Sequence, residues 1–196
     1  MKTTEIKRWA LLSLALFVSS AVLAGSHVID ASKSTVSWYG KKVTGEHHGA
    51  IQIQGGSLEV VDGEIKGGTV TIDMQSITNE DISDDGMKQK LVGHLKSDDF
   101  FAVASHPTAT LVLTDVKKSG SNYTFTGDLT IKGTTKPVSF QATSTSEGDG
   151  VKVEGELIID RSDYDVRYGS KSFFDNLGDK MIYDDFTLNF VVVAKK

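Results

Sequence analysis

The sequence has no cysteine among its 196 residues. Disulfide bonds, thiol catalysis and thiolate metal sites are therefore excluded, and core packing alone must stabilise the fold. Leu23, Ala24 and Gly25 are similar to the end of a lipoprotein signal, but Ser26 stands where the lipidated cysteine would have to be. The sequence therefore predicts no acyl anchor.

The chain also lacks an excess of basic residues. It carries 21 Lys and Arg residues against 26 Asp and Glu residues, a formal net charge of −5 at pH 7. Nucleic acids and anionic membrane surfaces attract basic proteins, so an acidic chain is not suited to either as its main partner. We expect no binding to nucleic acid.

Long apolar runs are missing except near the start. The run Ala10–Val18 is too short to span a bilayer comfortably, and it lies between basic residues and small residues that end at Ala24. This arrangement is typical of a secretory signal peptide that is removed on export. We predict a signal peptide at residues 1–24 and one mature domain at residues 25–196, which does not span a membrane.

Catalytic signatures are lacking too. No Gly-x-Ser-x-Gly motif is present, and acidic pairs such as Asp184–Asp185 are interpreted as turns. The histidines show no His-x-His or His-x-x-x-His spacing. The sequence therefore predicts no enzyme, no metal site and no cofactor. A metal-assisted enzyme that uses His47 or His48 together with His94 is the alternative.

Alternating apolar and polar residues make up most of the remaining chain. Tyr123–Ile131 and Val151–Ile159 are two such runs, and turn-forming residues separate them. This pattern predicts strands joined as antiparallel hairpins. Eight or so amphipathic strands form a barrel or a sandwich, and glycine-punctuated strands favour a strongly coiled barrel. We predict an all-β fold of eight or so antiparallel strands, with a bulge at Gly67–Gly68.

Residues 87–101 depart from the alternation. Met87, Leu91 and Leu95 recur every four residues, which predicts a short helix. Ser97 is positioned to cap a second helical turn that presents Phe100–Phe101. The stretch is either a lid over the barrel or only a connection that closes the end of the core.

Residues 161–180 depart from the alternation as well. Ser170 or Ser172 is positioned to begin a short helix that contains Phe173–Phe174, and Gly178 is positioned to end it. One or two short helices would then close the ends of the barrel.

Charged and polar residues near the predicted ends of the barrel have two interpretations. His47 shares a strand face with Ile51, so it is either satisfied by hydrogen bonds in the mouth or placed to meet the polar head of an apolar ligand. Four charged residues are likewise either an ion-pair cluster or contacts for such a head: Arg161, Asp163, Arg167 and Lys171.

Six motifs occur together along the chain. They are Gly45–Gly49, Ile72–Ile77, Gly93–Phe101, His106–Thr110, Gly127–Val138 and Asp160–Tyr164. In this order, and over essentially the whole mature chain, they resemble the YceI-like family. This is a family of small exported bacterial proteins, several of which are described as polyisoprenoid-binding. Lys132 and Asp160 depart from its commonest form, which has His and Asn there.

Together with the strand pattern, the resemblance implies an antiparallel eight-stranded, lipocalin-like β-barrel with one or two short helices closing its ends. It also implies a periplasmic protein, often a homodimer, with an elongated apolar cavity for an isoprenoid or another amphiphile. The residues expected to line the cavity are Trp38, Phe125, Phe140, Phe186 and Phe190. Those expected to close its ends are Leu91, Leu95, Phe100, Phe101, Phe173 and Phe174. Those expected to make polar contacts at its mouth are His47, His94 and Arg161.

The expected function is therefore a carrier or sequestering protein for a polyisoprenoid-type lipid, without catalysis. Burial of each CH2 group in an apolar tube contributes roughly 0.8 kcal/mol, which favours capture of a long chain. A broad scavenger of hydrophobic compounds in stress defence is the first alternative. An accessory protein of a membrane redox or cell-envelope complex is another.

Overall fold

The computed structural model describes residues 25–196, so the predicted signal peptide lies outside the described residues. This part of the chain contains nine β-strands: β1 (Gly25–Ile29), β2 (Thr35–Lys42), β3 (Gly45–Val61), β4 (Glu64–Asp73), β5 (Thr108–Ser119), β6 (Asn122–Ile131), β7 (Thr134–Glu147), β8 (Gly150–Asp160) and β9 (Ile182–Lys195). It also contains one α-helix, α1 (Asp85–Lys96), and short 3₁₀ helices at Met74–Ser76, Arg161–Tyr164 and Gly178–Lys180.

The strands close into a barrel with eight strand positions, and the paired strands are antiparallel. Strands β2 to β9 follow the order β3-β2-β9-β8-β7-β6-β5-β4, and β4 pairs with β3 to complete the ring. Strand β1 shares a position with β2, because it pairs with β3 and β9 beyond the point where β2 begins. The predicted all-β fold and the eight-stranded barrel are confirmed.

The core lies inside this barrel because the strands bury alternate residues. In β6, Tyr123, Phe125, Leu129 and Ile131 are buried, while the residues next to them in the chain face outward or are half-buried. Successive side chains of a strand point to opposite faces, so each amphipathic strand presents one apolar face to the interior.

Tight turns join the strands where the sequence contains turn residues. Asp62 and Gly63 have φ angles of 52° and 76°, and Lys132 and Gly133 have φ angles of 50° and 76°. Two consecutive residues with positive φ are typical of the type I′ turn, whose twist matches that of paired strands. These turns hold β3 against β4 and β6 against β7.

A bulge is present in β4, but its extra residue is Lys66, directly before the predicted position Gly67–Gly68. Glu59 pairs with Gly67, whereas the next residue, Val60, pairs with Ile65, so β4 carries one extra residue there. A Cβ atom at Gly68 would lie 2.6 Å from the carbonyl oxygen of Ser57. Gly68, which lies beside the bulge, is therefore restricted to glycine, and the bulge bends the strand as a closed barrel demands.

Helix α1 forms where the four-residue spacing predicts it. The Asp84 carboxylate caps its first turn by accepting a 2.8 Å hydrogen bond from the N–H of Met87. Ser97 ends this helix and does not begin a second one, since its own N–H donates to the carbonyl of His94. The predicted second helical turn is therefore wrong, and residues 98–101 form turns. In residues 25–196, the helices are too short or too polar to cross a membrane.

The predicted helix around Phe173–Phe174 is also wrong. The N–H groups of both phenylalanines donate to the carbonyl of Ser170 in an isolated turn, and Gly178 begins a 3₁₀ helix instead of ending an α-helix. Short helices need an apolar face that packs against the core. Phe173 and Phe174 are 39% and 50% exposed, so this segment has no such face.

Candidate ligand cavity

The barrel encloses two cavities that share walls. The deep chamber, of about 110 Å³, lies between Leu58, Leu113, Phe125, Val153 and Val192. The lid chamber, of about 130 Å³, lies between Trp38, Met74, Phe101, Ile131 and Arg161, below the turns that follow α1. Val36, Ile72, Leu129 and Leu188 line both chambers, and we call them the waist. The two chambers therefore adjoin each other along the barrel interior, and we call them together the tube.

Aromatic rings line the deep chamber. The Phe125 ring lies 5.5 Å from the ring of Tyr123 and 5.5 Å from that of Phe140, and Phe140 lies 5.7 Å from Phe190 at nearly a right angle. Such offset and edge-to-face contacts are the arrangements that aromatic pairs prefer. The structure thus places the expected lining residues Phe125, Phe140 and Phe190 on the deep chamber.

Trp38 and Phe186 line the lid chamber instead. The indole N–H of Trp38 donates a 2.9 Å hydrogen bond to the carbonyl of Thr78, which satisfies its polar atom and leaves the apolar ring against the chamber. Phe186 packs edge to face against Phe101 at 6.3 Å. Two of the expected lining residues are therefore at the end where the tube meets α1.

Residues next to the helix close the lid chamber. Leu95, Phe100 and Phe101 line it, and Phe100 is only 6% exposed. The N–H of Phe101 donates to the carbonyl of Leu95, so the turn folds back under the helix. Leu91, which was expected beside them, is half-buried on α1 and does not line either chamber. Leu91 lies one helical turn before Leu95 on α1, farther from the lid chamber.

Arg161 is a buried charge at this end of the tube. It is 2% exposed, it lines the lid chamber, and its guanidinium lies 5.3 Å from the ring of Phe100. One guanidinium nitrogen lies 3.2 Å from a carboxylate oxygen of Asp184, which is itself 8% exposed. Burial lowers the pKa of Arg161 from its ordinary value, although Asp184 and Asp160 oppose the change. Arginine stays protonated in proteins, so the site holds an ion pair.

The backbone around Arg161 explains why this side chain is tolerated inside. Strand β9 is irregular where it meets β2: Gly40 pairs with Phe186, but Lys42 pairs with Ile182. The guanidinium donates to the carbonyls of Ile182, Tyr183 and Val166 at 3.1, 3.2 and 2.7 Å. These bonds replace water for most of the charged group, as burial of a charge requires.

The structure divides the charged cluster that the sequence contains at residues 161–171. Arg161 pairs with Asp184 inside the barrel, whereas Arg167 pairs with Asp165 on the surface. Asp163 and Lys171 are exposed. Both arginines therefore form ion pairs, as the first of the two interpretations predicts. Arg161 in addition lines the lid chamber.

His94 lies behind the closure rather than in the tube. Its ring packs against Phe100 at 5.6 Å and against Tyr168 at 4.3 Å, and it does not line either chamber. Its Nε2 atom is buried and accepts or donates no hydrogen bond within the described residues. His94 was expected to contact a ligand at the mouth, but the ring of Phe100 lies between His94 and the lid chamber.

His47 lies at the rim of the barrel and turns toward a loop. Its Nδ1 atom is 2.7 Å from a carboxylate oxygen of Asp81, and the other oxygen accepts from the N–H of His48 and from Asn79. Burial raises the pKa of Asp81, but these hydrogen bonds outweigh it and lower the pKa to about 2. His47 therefore fastens residues 77–81 to β3, and it does not line either chamber.

Phe173 and Phe174 do not reach the tube. Phe173 packs under the guanidinium of Arg167 at 4.9 Å, and Phe174 borders a surface cleft with Tyr168 and Leu177. Phe173 and Phe174 therefore do not close an end of the cavity as expected, because the segment that carries them lies outside the barrel wall.

Two residues that depart from the common family pattern also lie away from the chambers. Lys132 donates to the carbonyls of Asp98 and Asp165 at 3.4 and 3.1 Å, and so joins the closure to the segment after β8. Asp160 caps the 3₁₀ helix by accepting from the N–H of Ser162. Both side chains support the backbone that frames the lid chamber.

Sequence reasoning missed Asp184, the partner of Arg161. It was interpreted as part of an acidic turn, yet it has the same parity as Phe186 and Leu188, which face inward from β9. Period-2 alternation would have placed it inside. No group of three or more His, Asp or Glu residues within 25–196 is arranged to hold a metal ion.

A closed antiparallel barrel around one apolar tube defines a lipocalin-like barrel of the size that encloses a single small ligand or none. The family model described as YceI-like domain matches residues 27–194. The protein therefore belongs to the YceI-like family.

Several known proteins are similar to this chain in sequence or in fold. BcnA from Burkholderia cenocepacia has a TM-score of 0.69 and 26% identity, over 85% of this chain and 99% of that chain. A polyisoprenoid-binding domain from Saccharophagus degradans shares the fold, with a TM-score of 0.62 and 16% identity over 88% and 98% of the two chains. A UPF0312 protein of Pectobacterium atrosepticum is 48% identical over 56 residues, and this alignment covers 29% of each chain.

Proposed function

We propose that this protein binds a polyisoprenoid or similar amphiphilic lipid in its tube, and carries or sequesters that lipid in the periplasm without transforming it. The observation that supports this most directly is the division of the tube. The waist and the deep chamber are apolar, and the Arg161–Asp184 pair lies at the lid end. An amphiphile with an apolar chain and a compact head has the same division.

The dimensions of the tube suit a chain of small branched units. Apolar cavities of about 150 Å³ stay dry and hold benzene-sized ligands, and the two chambers measure about 110 and 130 Å³. Each chamber is of the size of a five-carbon unit, and a chain that occupied both chambers would pass between the waist residues. The solved domain from Saccharophagus degradans, which shares this fold, is described as polyisoprenoid-binding.

The energetic argument favours an apolar chain. Each CH2 group moved from water into the tube contributes roughly 0.8 kcal/mol. Loss of translational and chain freedom offsets part of that gain, which leaves a surplus that grows with chain length. The signal peptide predicted at residues 1–24 supports export. An exported lipid carrier needs an apolar interior that shields the lipid chain from water.

Native mass spectrometry of the protein purified from the periplasm tests the proposal. We expect an additional mass that extracts into organic solvent as one isoprenoid. A mixture of unrelated lipophiles would instead indicate the broad scavenger. A protein that is empty and also refuses added isoprenoids would contradict the proposal.

A variant of the waist tests the place of binding. Leu188 lines both chambers, so Leu188→Trp should fill the passage and leave the lid chamber accessible. We expect a short ligand such as geraniol to bind, and binding of a long polyprenol to weaken by at least about tenfold. Ile158→Trp is the matched control, because Ile158 is 59% exposed on the outer face of β8. Equal binding of long chains to both variants would show that they do not occupy the tube.

A further inference from the structure

The charges at the lid end of the tube bear on the head group of the ligand. Arg161 is the charged residue that lies deepest there, and Asp184 offsets its charge at 3.2 Å. The guanidinium also donates to three backbone carbonyls. An arginine that recognises a phosphate presents its N–H groups to the ligand as a free fork. The guanidinium of Arg161 instead makes its hydrogen bonds and its ion pair within the protein.

The other charged residues on the lid chamber do not supply a buried positive charge, because 62% of the Lys41 side chain is exposed to water, which screens its charge. Lys41 pairs with Glu46 at 3.8 Å, and Asp185 adds a carboxylate at the exposed edge of the chamber. Within the described residues, Arg161 is balanced by Asp184 and Lys41 by Glu46, while Asp185 has no such cation beside it. The charged groups around this chamber therefore carry a net negative charge.

A second charged cleft outside the closure is balanced. It contains Lys132, Arg167 and Lys180 together with Asp98, Asp99 and Asp165. Lys132 donates to two backbone carbonyls, and Arg167 pairs with Asp165. An anionic head that emerged beside the closure would meet the carboxylates as well as the cations.

We infer that the ligand of this tube has an uncharged polar head, such as an alcohol, phenol or quinone, and is not a prenyl phosphate. This inference rests on the proposed function and narrows it to a class of isoprenoid. A neutral head can share hydrogen bonds at the end of the chamber without adding net charge. A phosphate carries a charge of about −1.5 to −2 at pH 7, and there it would lose water and face Asp185 without a buried cation that is free to pair with it.

The test compares ligands of one chain length. Farnesol and farnesyl phosphate are titrated against the delipidated mature protein, with the fluorescence of Trp38 as the signal, because Trp38 lines the lid chamber. Isothermal titration calorimetry provides an independent dissociation constant. We expect farnesol to bind at least about tenfold more tightly than the phosphate, which corresponds to 1.4 kcal/mol.

Two charge variants make the comparison specific. Asp185→Lys places a cation at the edge of the lid chamber and should raise the ratio of phosphate affinity to alcohol affinity at least about threefold. Asp149→Lys changes the net charge equally, but it lies in the turn between β7 and β8 at the other end of the barrel. It should leave both affinities unchanged.

Each outcome separates the inference from the proposed function. Phosphate binding as tight as alcohol binding, or tighter, overturns the neutral head and leaves the lipid carrier standing. Failure of both ligands, and of longer polyprenols and polyprenyl phosphates, overturns both proposals. Tight binding of the alcohol together with weak binding of the phosphate supports the inference.

Discussion

Arg161 and Asp184 form an ion pair within an apolar barrel. Removal of both charges from water is unfavourable, and the pair persists because the guanidinium also satisfies carbonyl groups near the irregular end of β9. The two residues therefore depend on each other. Loss of one partner should leave the other as an uncompensated buried charge.

Arg161→Met is expected to lower the free energy of unfolding by roughly 3–5 kcal/mol, since it isolates the Asp184 carboxylate. The double variant Arg161→Met/Asp184→Asn should recover part of that loss by removing the second charge. Urea denaturation followed by circular dichroism measures both. Arg167→Met is the control, because the Arg167–Asp165 pair is exposed and should contribute less than about 1 kcal/mol. Equal losses for the single and double variants would contradict the mutual dependence.

Asp81 links protein stability to pH. Its pKa is lowered from 3.8 to about 2 in the folded protein, so its contribution is complete above the unfolded value and disappears as the pH falls from about 4 to about 2. We expect Asp81→Asn to melt at a lower temperature than the wild type at pH 6. The two melting temperatures should converge toward pH 2, whereas a constant difference across this range would show that the charge of Asp81 is not responsible.

Among the elements, the segment before α1 holds the closure in place. Residues 77–81 run beside β3, where the N–H groups of Thr78 and Glu80 donate to the carbonyls of Ala50 and His48. This close approach depends on Gly49, because a Cβ atom there would lie 2.0 Å from the carbonyl oxygen of Thr78. Strand β3, this segment and helix α1 are thus mechanically connected.

Gly49→Ala should push residues 77–81 away from β3 and lower the free energy of unfolding by roughly 1–3 kcal/mol. We expect faster hydrogen exchange in residues 77–84 and faster loss of bound lipid, since the closure loses its support. Gly55→Ala is the matched control on the same strand, because a Cβ atom there meets no atom within 4 Å. If both variants exchange at the same rate, the close approach at Gly49 does not hold the segment.

The strands were predictable from the sequence because alternation is a local signal. Each strand carries its inward and outward residues in its own order, and Asp62–Gly63 carries the φ angles its turn needs. Helix α1 followed from spacing in the same way. The surroundings of His47 and the ion-pair partner of Asp184 did not, since each depends on a residue distant in the chain: Asp81 and Arg161.

For the whole molecule, alternation defines the wall of the barrel but not the space inside it. Whether eight strands enclose a packed core or a cavity depends on how the inward side chains meet across the barrel, which no single strand determines. Here the side chains of Val36, Ile72, Leu129 and Leu188 lie between the two chambers and line both of them. The residues lining the tube were therefore partly predictable, while its two-chamber shape was not.

A ligand in this tube should stabilise the whole barrel. A lipid that binds only the folded protein adds about 2.7 kcal/mol at a concentration one hundred times its dissociation constant. In a domain of this size, 1 kcal/mol shifts the melting temperature by roughly 2–4 °C, so extraction of bound lipid should lower it by roughly 5–10 °C.

Differential scanning calorimetry before extraction, after extraction and after return of a polyprenol measures this effect. The polyprenol should restore the melting temperature of the wild type, and it should do so less in Leu188→Trp, whose deep chamber is cut off from the lid chamber. Because the waist lies between the chambers, a long chain that occupies both can stabilise the barrel over its full length only when the passage between them is open. If polyprenol restores both proteins equally, the stabilising contacts lie outside the tube, and the lid chamber alone or the outer surface holds the lipid.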